Sequence, residues 1–236
     1  MKELFDKLYN KEESSFYNIL SKNLKNNKKM FIVTANPETF MISEKDEEMK
    51  KLLLDKDTIL VPDGIGIVKA ARMINYDVKE RITGIDIANK LLELGDKQKK
   101  TIYLFGSKQE VIDSMKNVIK EKCPNLVLVG ATNGYEKDKD KVFEKIAKQK
   151  PDIVLVALGI PAQEKLIYKH LDKFDKGIFV GVGGSFDVIS GHKKRAPKIF
   201  IKLNLEWLYR ILKEPKRLKR FYDSNIKFLF KVKKYK

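Results

Sequence analysis

The chain has 236 residues, of which 43% are hydrophobic and 34% charged, with 49 Lys and Arg against 32 Asp and Glu for a formal charge of +17. That length and apolar content exclude a disordered or repetitive polypeptide and are enough for one sizeable core plus an appendage. The one cysteine, Cys123, excludes an internal disulfide and favours a reducing compartment.

Residues 1 to 24 carry Glu3, Asp6, Glu12 and Glu13 and no apolar stretch of about 7 to 15 residues, so no secretory leader is expected. Six short runs rich in β-branched, aliphatic and aromatic residues follow, each predicted as a buried strand. Met30 to Val33 leads into Thr34-Ala35-Asn36-Pro37, and Thr58 to Val61 into Pro62-Asp63-Gly64-Ile65-Gly66. Thr101 to Phe105 leads into Gly106-Ser107, and Leu126 to Val129 precedes the turn Asn133-Gly134. Ile153 to Leu158 leads into Gly159-Ile160-Pro161-Ala162-Gln163-Glu164, and Ile178 to Val182 into Gly183-Gly184-Ser185-Phe186-Asp187. Helical spacing lies between them, as in Val111, Met115, Val118 and Ile119, or Val142, Ile146 and Ala147. Strand and helix alternating in this way predict an α/β fold, a parallel-sheet, Rossmann-like α/β/α core over residues 1–195. The longest apolar runs fall well short of the roughly 20 residues a membrane-spanning helix needs.

The last segment differs. From His192 to Lys236 there are sixteen Lys and Arg but only three acids, Glu206, Glu214 and Asp223, so this stretch holds +13 of the net charge. It is also apolar: Trp207, Leu208, Ile211 and Leu212 fall on one helical face. From Pro215 onward the pattern Lys216-Arg217-Leu218-Lys219-Arg220-Phe221-Tyr222 is too densely charged for simple core packing. Residues 196–236 are therefore expected to form a basic amphipathic helical appendage suited to an anionic membrane surface, where each basic residue contributes roughly 1 kcal/mol. Nucleic acid is the competing partner for such a patch, but it leaves the glycine loops beyond the strands without a task. The apolar tail could also dock on a second copy to give a homo-oligomer.

Ligands of parallel sheets bind beyond the carboxyl ends of the strands, and five polar or glycine-bearing loops there suggest a nucleotide-sized site. Neither Gly64-Ile65-Gly66 nor Gly181-Val182-Gly183 completes a dinucleotide pattern, and no Walker loop is present. Asp63 before Gly64 reads either as a turn dipeptide or as a catalytic carboxylate. Arg81 is a surface cation or a site residue, and Thr83 an N-cap. His170 and His192 belong to no ligand cluster, and Asp55-Lys56-Asp57 and Asp138-Lys139-Asp140 sit in Lys/Asp-rich connections. No metal and no cofactor are expected.

Taken together, Thr34-Ala35-Asn36, Asp63-Gly64-Ile65-Gly66, Glu80 to Asp86, Gly159 to Glu164, Gly181 to Asp187, Arg195-Ala196-Pro197 and Leu205 to Arg210 with Glu214 to Arg217 resemble the WecG/TagA/CpsF glycosyltransferase family. The resemblance implies a metal-independent, inverting hexosyltransferase of bacterial surface-polymer synthesis, such as the wall teichoic acid linkage unit. Such an enzyme is peripheral on the inner, cytoplasmic face of the cell membrane. It would move N-acetylmannosamine from a UDP-sugar to undecaprenyl-diphosphate-linked N-acetylglucosamine, with N-acetylmannosaminuronic acid or glucose as alternative donor sugars. It further implies Asp63 as general base, with Thr34 and Asn36 beside it at the sugar. Arg81 would lie near sugar or phosphates, Gln163 near acceptor or donor, and Asp187 with Gly183 and Gly184 near the uridine, on which Tyr135 could stack. Arg210, Arg217 and Arg220 would close over the site and grip diphosphate. Pro62 and Ala162 depart from the family's usual small residue and lysine, respectively.

Overall fold

The computed structural model describes residues 1–235. Its centre is a six-stranded, all-parallel sheet: β1 (Lys29–Ala35), β2 (Thr58–Pro62), β3 (Thr101–Gly106), β4 (Val127–Thr132), β5 (Ile153–Ala157) and β6 (Gly177–Gly181), in the order β2-β1-β6-β5-β3-β4. Side-chain alternation sends Phe31, Val33 and Ala35 of β1 to one face and Met30 and Ile32 to the other. Each face is buried under helices, so every central strand is apolar on both sides. Helices Glu13–Lys25, Gly84–Lys97 and Gln109–Lys122 cover one face; Glu47–Leu54, Ile65–Met73, Lys139–Gln149 and Ala162–His170 cover the other. Because all strands run the same way, the six loops that follow them share one edge.

Two positions show how packing overrides local preference. Pro62 ends β2 opposite Ala35; β2 is an edge strand, where a residue without an N–H is tolerated. The fourth strand runs on to Thr132 rather than stopping at Val129. Its Gly130 lies under the Tyr103 ring, where an added Cβ would come within 2.3 Å, and the Tyr103 hydroxyl bonds Thr132 Oγ1 at 2.6 Å.

The basic tail forms helices Lys198–Lys202, Glu206–Lys213, Arg217–Phe221 and Lys227–Lys233, the last two joined by a π-helical turn, Tyr222–Ile226. Contrary to the expectation from its charge density, one face of this tail is core. Phe228 and Val232, four residues apart, are fully buried, and Phe228 packs 5.6 Å from Phe40 and 6.2 Å from Phe5 between ring centroids. The charges occupy the remaining faces. No helix of the described residues is long and apolar enough to cross a membrane.

Gly106 closes β3 with φ +124°, and a Cβ there would lie 2.3 Å from the Ala157 carbonyl oxygen. Gly106→Ala is expected to cost about 2–4 kcal/mol in denaturant unfolding; a loss under about 0.5 kcal/mol would contradict the register given for β3 and β5.

Candidate active site

The loop after β2 is fixed from both sides. Asp63 N–H donates to the Ala35 carbonyl at 2.8 Å, and the Pro62 carbonyl accepts from Ile82 N–H at 2.8 Å. Gly64, at φ +92°, then turns the chain into the helix Ile65–Met73. The Asp63 carboxylate points to the first turn of helix Gly84–Lys97, where Gly84 N–H donates to Oδ2 at 3.4 Å. Thr83 caps the same helix, its Oγ1 accepting from Asp86 N–H. Thr34 lies beside it: a Cβ on Gly84 would sit 3.5 Å from Thr34 Oγ1, which donates to the Gly181 carbonyl at 3.4 Å. Thr34 and Asp63 thus converge on one helix start, from two neighbouring strands.

Asp63 keeps some surface open to solvent, but protein encloses its carboxyl. Burial pushes the group up to about 6, opposed by the charge of Arg210, the Gly84 N–H and Arg81, with Glu206 adding a smaller upward push. Arg210 belongs to the tail. Its presence at Asp63 follows from a buried ion-pair network one helical turn earlier. Arg81 Nη1 meets Glu206 Oε2 at 2.8 Å, with side chains only 14% and 9% exposed. Arg195 pairs with Asp86 at 2.9 Å and approaches Glu206 Oε1 at 3.6 Å. Glu206 therefore bridges an arginine of the core and one of the linker. Residues four apart share a helix face, so the anchor at Glu206 presents Arg210 to the crevice.

The other predicted residues are placed as follows. Asn36 is on the same sheet edge, where its Oδ1 caps helix Pro37–Ser43 by accepting from Thr39 N–H at 3.0 Å. Gln163 is buried, and its amide oxygen accepts from both Gly159 N–H and Gly183 N–H at 3.1 Å, stapling the β5 loop to the β6 loop. Those two amides are therefore engaged inside the protein rather than offered to a phosphate. Beside Gly183 and Gly184 the space is open, since a Cβ at either would meet nothing within 4 Å. Asp187 is partly exposed on the following helix, 4.0 Å from Lys193 Nζ. Tyr135, 72% exposed, rides on the β4 loop, where its N–H bonds Asn133 Oδ1.

Arg217 pairs with Glu214 at 2.7 Å, and Arg220 makes a two-pronged bond to Glu38 at 2.9 and 2.8 Å. The π turn after Arg220 rests on the segments that follow β1 and β2: a Cβ at Gly66 would lie 2.8 Å from Pro37 and 3.4 Å from Asn225 Oδ1. Ala162 is exposed at the start of helix Ala162–His170.

Sequence reasoning missed Glu206, Arg195, Asp86 and Glu164 as members of this site. For Glu206 the available signal was that it is one of only three acids in a strongly basic tail. Glu164 is buried beneath Gly181, with Oε1 accepting from Gln163 at 2.7 Å and Oε2 without a partner, and burial pushes its carboxyl up to about 7. Asp55 accepts from Tyr168, and Asp140 pairs with Lys169 and His170, so one acid of each Asp-x-Asp stretch is engaged by a distant side chain. No group of three or more His, Cys, Asp or Glu arranged to hold a metal occurs among the described residues.

The model of the glycosyl transferase WecG/TagA/CpsF family matches residues 6–236. A Bacillus subtilis (strain 168) protein named N-acetylglucosaminyldiphosphoundecaprenol N-acetyl-beta-D-mannosaminyltransferase is 43% identical over 189 residues, 80% of this chain and 73% of the relative. A Bacillus spizizenii protein of the same name is 42% identical over 84% of this chain and 76% of its own length. A Staphylococcus aureus (strain MW2) protein, also so named, is 34% identical over 88% and 81%.

Two outcomes follow from the charges. Because the Asp63 pKa in the folded chain lies above its unfolded value, ionising it opposes folding, and stability falls as pH rises from about 4 to about 6. Asp63→Asn is expected to melt a few degrees higher than wild type at pH 7.5, with the difference closing near pH 4; an unchanged or lower melting temperature at pH 7.5 would argue against the burial described. Glu206→Gln, which leaves Arg81 without its counter-ion, is expected to cost about 2–4 kcal/mol in urea unfolding.

Proposed function

The chain belongs to the WecG/TagA/CpsF glycosyl transferase family, and from that membership we propose that it transfers N-acetylmannosamine from UDP to undecaprenyl-diphosphate-linked N-acetylglucosamine, forming a β linkage in surface-polymer synthesis. The observation that carries this reading is Asp63: a carboxylate enclosed at the strand edge, raised to about 6, with an arginine from each of two segments beside it.

Displacement of UDP by a sugar hydroxyl needs a base, positive charge at the leaving diphosphate, and alignment. Asp63 takes the acceptor hydroxyl proton as the oxygen attacks the anomeric carbon from the face opposite UDP, so configuration inverts. A pKa near the working pH makes it a stronger base than an ordinary aspartate while it stays ionised at neutrality. Thr34 sits against the same helix start and orients the sugar, and Asn36, held by its capping bonds, lines the crevice. Arg81 and Arg210 neutralise the leaving group, and Arg217 and Arg220 receive the acceptor diphosphate. Asp187, the open side of Gly183 and Gly184, and Tyr135 accommodate the nucleoside, while Gln163 holds the two loops in register. Arginines supply the charge that other transferases draw from a divalent cation.

We assign the tail a second task at the inner membrane face. Ile199, Leu203, Leu212 and Leu218 are each about 60% exposed and are interspersed with Lys198, Lys202, Lys213 and Lys219, a pairing of apolar and basic groups suited to anionic lipid.

UDP release from UDP-N-acetylmannosamine is expected only with a lipid-linked N-acetylglucosamine acceptor, to exceed that from UDP-glucose, and to survive EDTA. Asp63→Ala is expected to lower turnover at least 100-fold with UDP binding within about threefold of wild type. Comparable turnover in that variant would remove Asp63 from the chemistry; equal release from all donors would remove the assignment of N-acetylmannosamine.

A further inference from the structure

Beside Arg220, a groove of about 600 Å³ opens between helix Pro37–Ser43 and helix Arg217–Phe221 with the π turn that follows it. Its apolar lining is Met41 and Ile42, both partly exposed, and its rim carries Lys45, Lys216 and Lys219. The acids around it are already matched. Glu38 is held by Arg220, Asp46 by Lys165 at 2.7 Å, and Asp223 by Lys227 at 2.6 Å. Asp223 also feels the charge of Lys219 and Lys45, but no carboxylate among the described residues lies within ion-pair distance of any of the three rim lysines. Three unmatched ammonium groups around a greasy floor complement an amphipathic anion, one with adjacent phosphate and hydrocarbon.

The position of the groove selects which anion. Along a lipid-linked acceptor the order is reacting hydroxyl, sugar, diphosphate, isoprenoid. Along the protein the order is Asp63 in the crevice, Arg220 beside Glu38, then Met41 and Ile42 one turn further along the helix that Asn36 caps. Leu218 and Tyr222, both more than half exposed, alternate along the same stretch of chain with the lining residues Lys216, Lys219 and Asp223.

We propose that this groove seats the first isoprene units of the polyprenyl acceptor, with Lys45, Lys216 and Lys219 flanking its diphosphate. The assignment rests on the transferase reading above and adds to it a site for the lipid tail. Met41 and Ile42 become the residues that make the enzyme prefer a prenyl chain to any other anionic anchor, since burying a few hydrocarbon groups on them yields a tenfold or greater affinity difference.

The test has a binding arm and a transfer arm. In the first, the single tryptophan, Trp207, which stacks on Phe221 at 4.5 Å, reports titration with farnesyl diphosphate, inorganic diphosphate or phosphatidylglycerol vesicles. Farnesyl diphosphate is expected to bind at least tenfold tighter than inorganic diphosphate, and the double variant Met41→Gln, Ile42→Gln to erase that margin. Equal binding of the two, an unchanged margin in the variant, or vesicles that displace farnesyl diphosphate without any preference for it would overturn the proposal. In the second, the same variant is expected to raise KM about tenfold for a farnesyl-diphosphate-linked N-acetylglucosamine while leaving kcat, and the KM for a methyl-diphosphate-linked one, unchanged. Equal changes for both acceptors would also overturn it. Absence of transfer by wild type on both acceptors, with the binding margin intact, would instead refute the transferase reading and leave the groove standing as an isoprenoid-diphosphate site.

Discussion

The contact on which the site depends is the buried pair of Arg81 and Glu206. It joins the segment ahead of helix Gly84–Lys97 to the first residue of a tail helix, across more than a hundred residues of sequence. In water such a pair is worth little, but with both side chains largely buried, removal of either leaves an uncompensated charge. That asymmetry makes the tail an integral part of the crevice. Arg195 reinforces it by reaching both Asp86 and Glu206, and the hydrophobic lock of Phe228 and Val232 holds the far end. Between these two anchors lie Arg210, Arg217 and Arg220, the cations that the proposed reaction would call on.

The same arrangement sets the chemistry of Asp63. A carboxylate left in water would be too weak a base, and one buried without cations would stay protonated at neutral pH. Enclosure raises it and the arginines restrain the rise, so the outcome near 6 is a balance between the sheet edge and the tail. The cost is carried by the fold, because an ionised, enclosed carboxylate opposes folding; a site of this kind trades stability for function. Glu164, buried with one unmatched oxygen under the β6 loop, is a second such expense, close to the staple made by Gln163.

The fold was legible because buried parallel strands are apolar on both faces, so all six runs stood out, and their shared direction put the loops on one edge. What stayed hidden was set by contacts between distant residues. Gly130-Ala131-Thr132 carries little strand signature and is strand because its backbone pairs with Tyr103, Leu104 and Phe105 of β3, with the Tyr103 ring over Gly130. Phe228 and Val232 are core although their surroundings are the most basic in the chain. Asp63, Thr34 and Arg81 could be picked out by resemblance and by loop position, but Glu206 read as a minor exception in a basic tail, and Gln163 as a ligand contact rather than a bond between two loops. No periodicity encodes a partner 125 residues away.

The most direct measurement of the account is the pH dependence of kcat/KM for UDP release, recorded for wild type and for Arg210→Met with a short-chain acceptor. If Asp63 is the base and the tail arginine restrains its rise, wild type loses activity as pH falls through about 6, and the variant, slower throughout, shows the same limb displaced to higher pH. A wild-type profile flat between pH 5 and 7, or an acid limb that Arg210→Met leaves where it was, would contradict the coupling between tail and carboxylate.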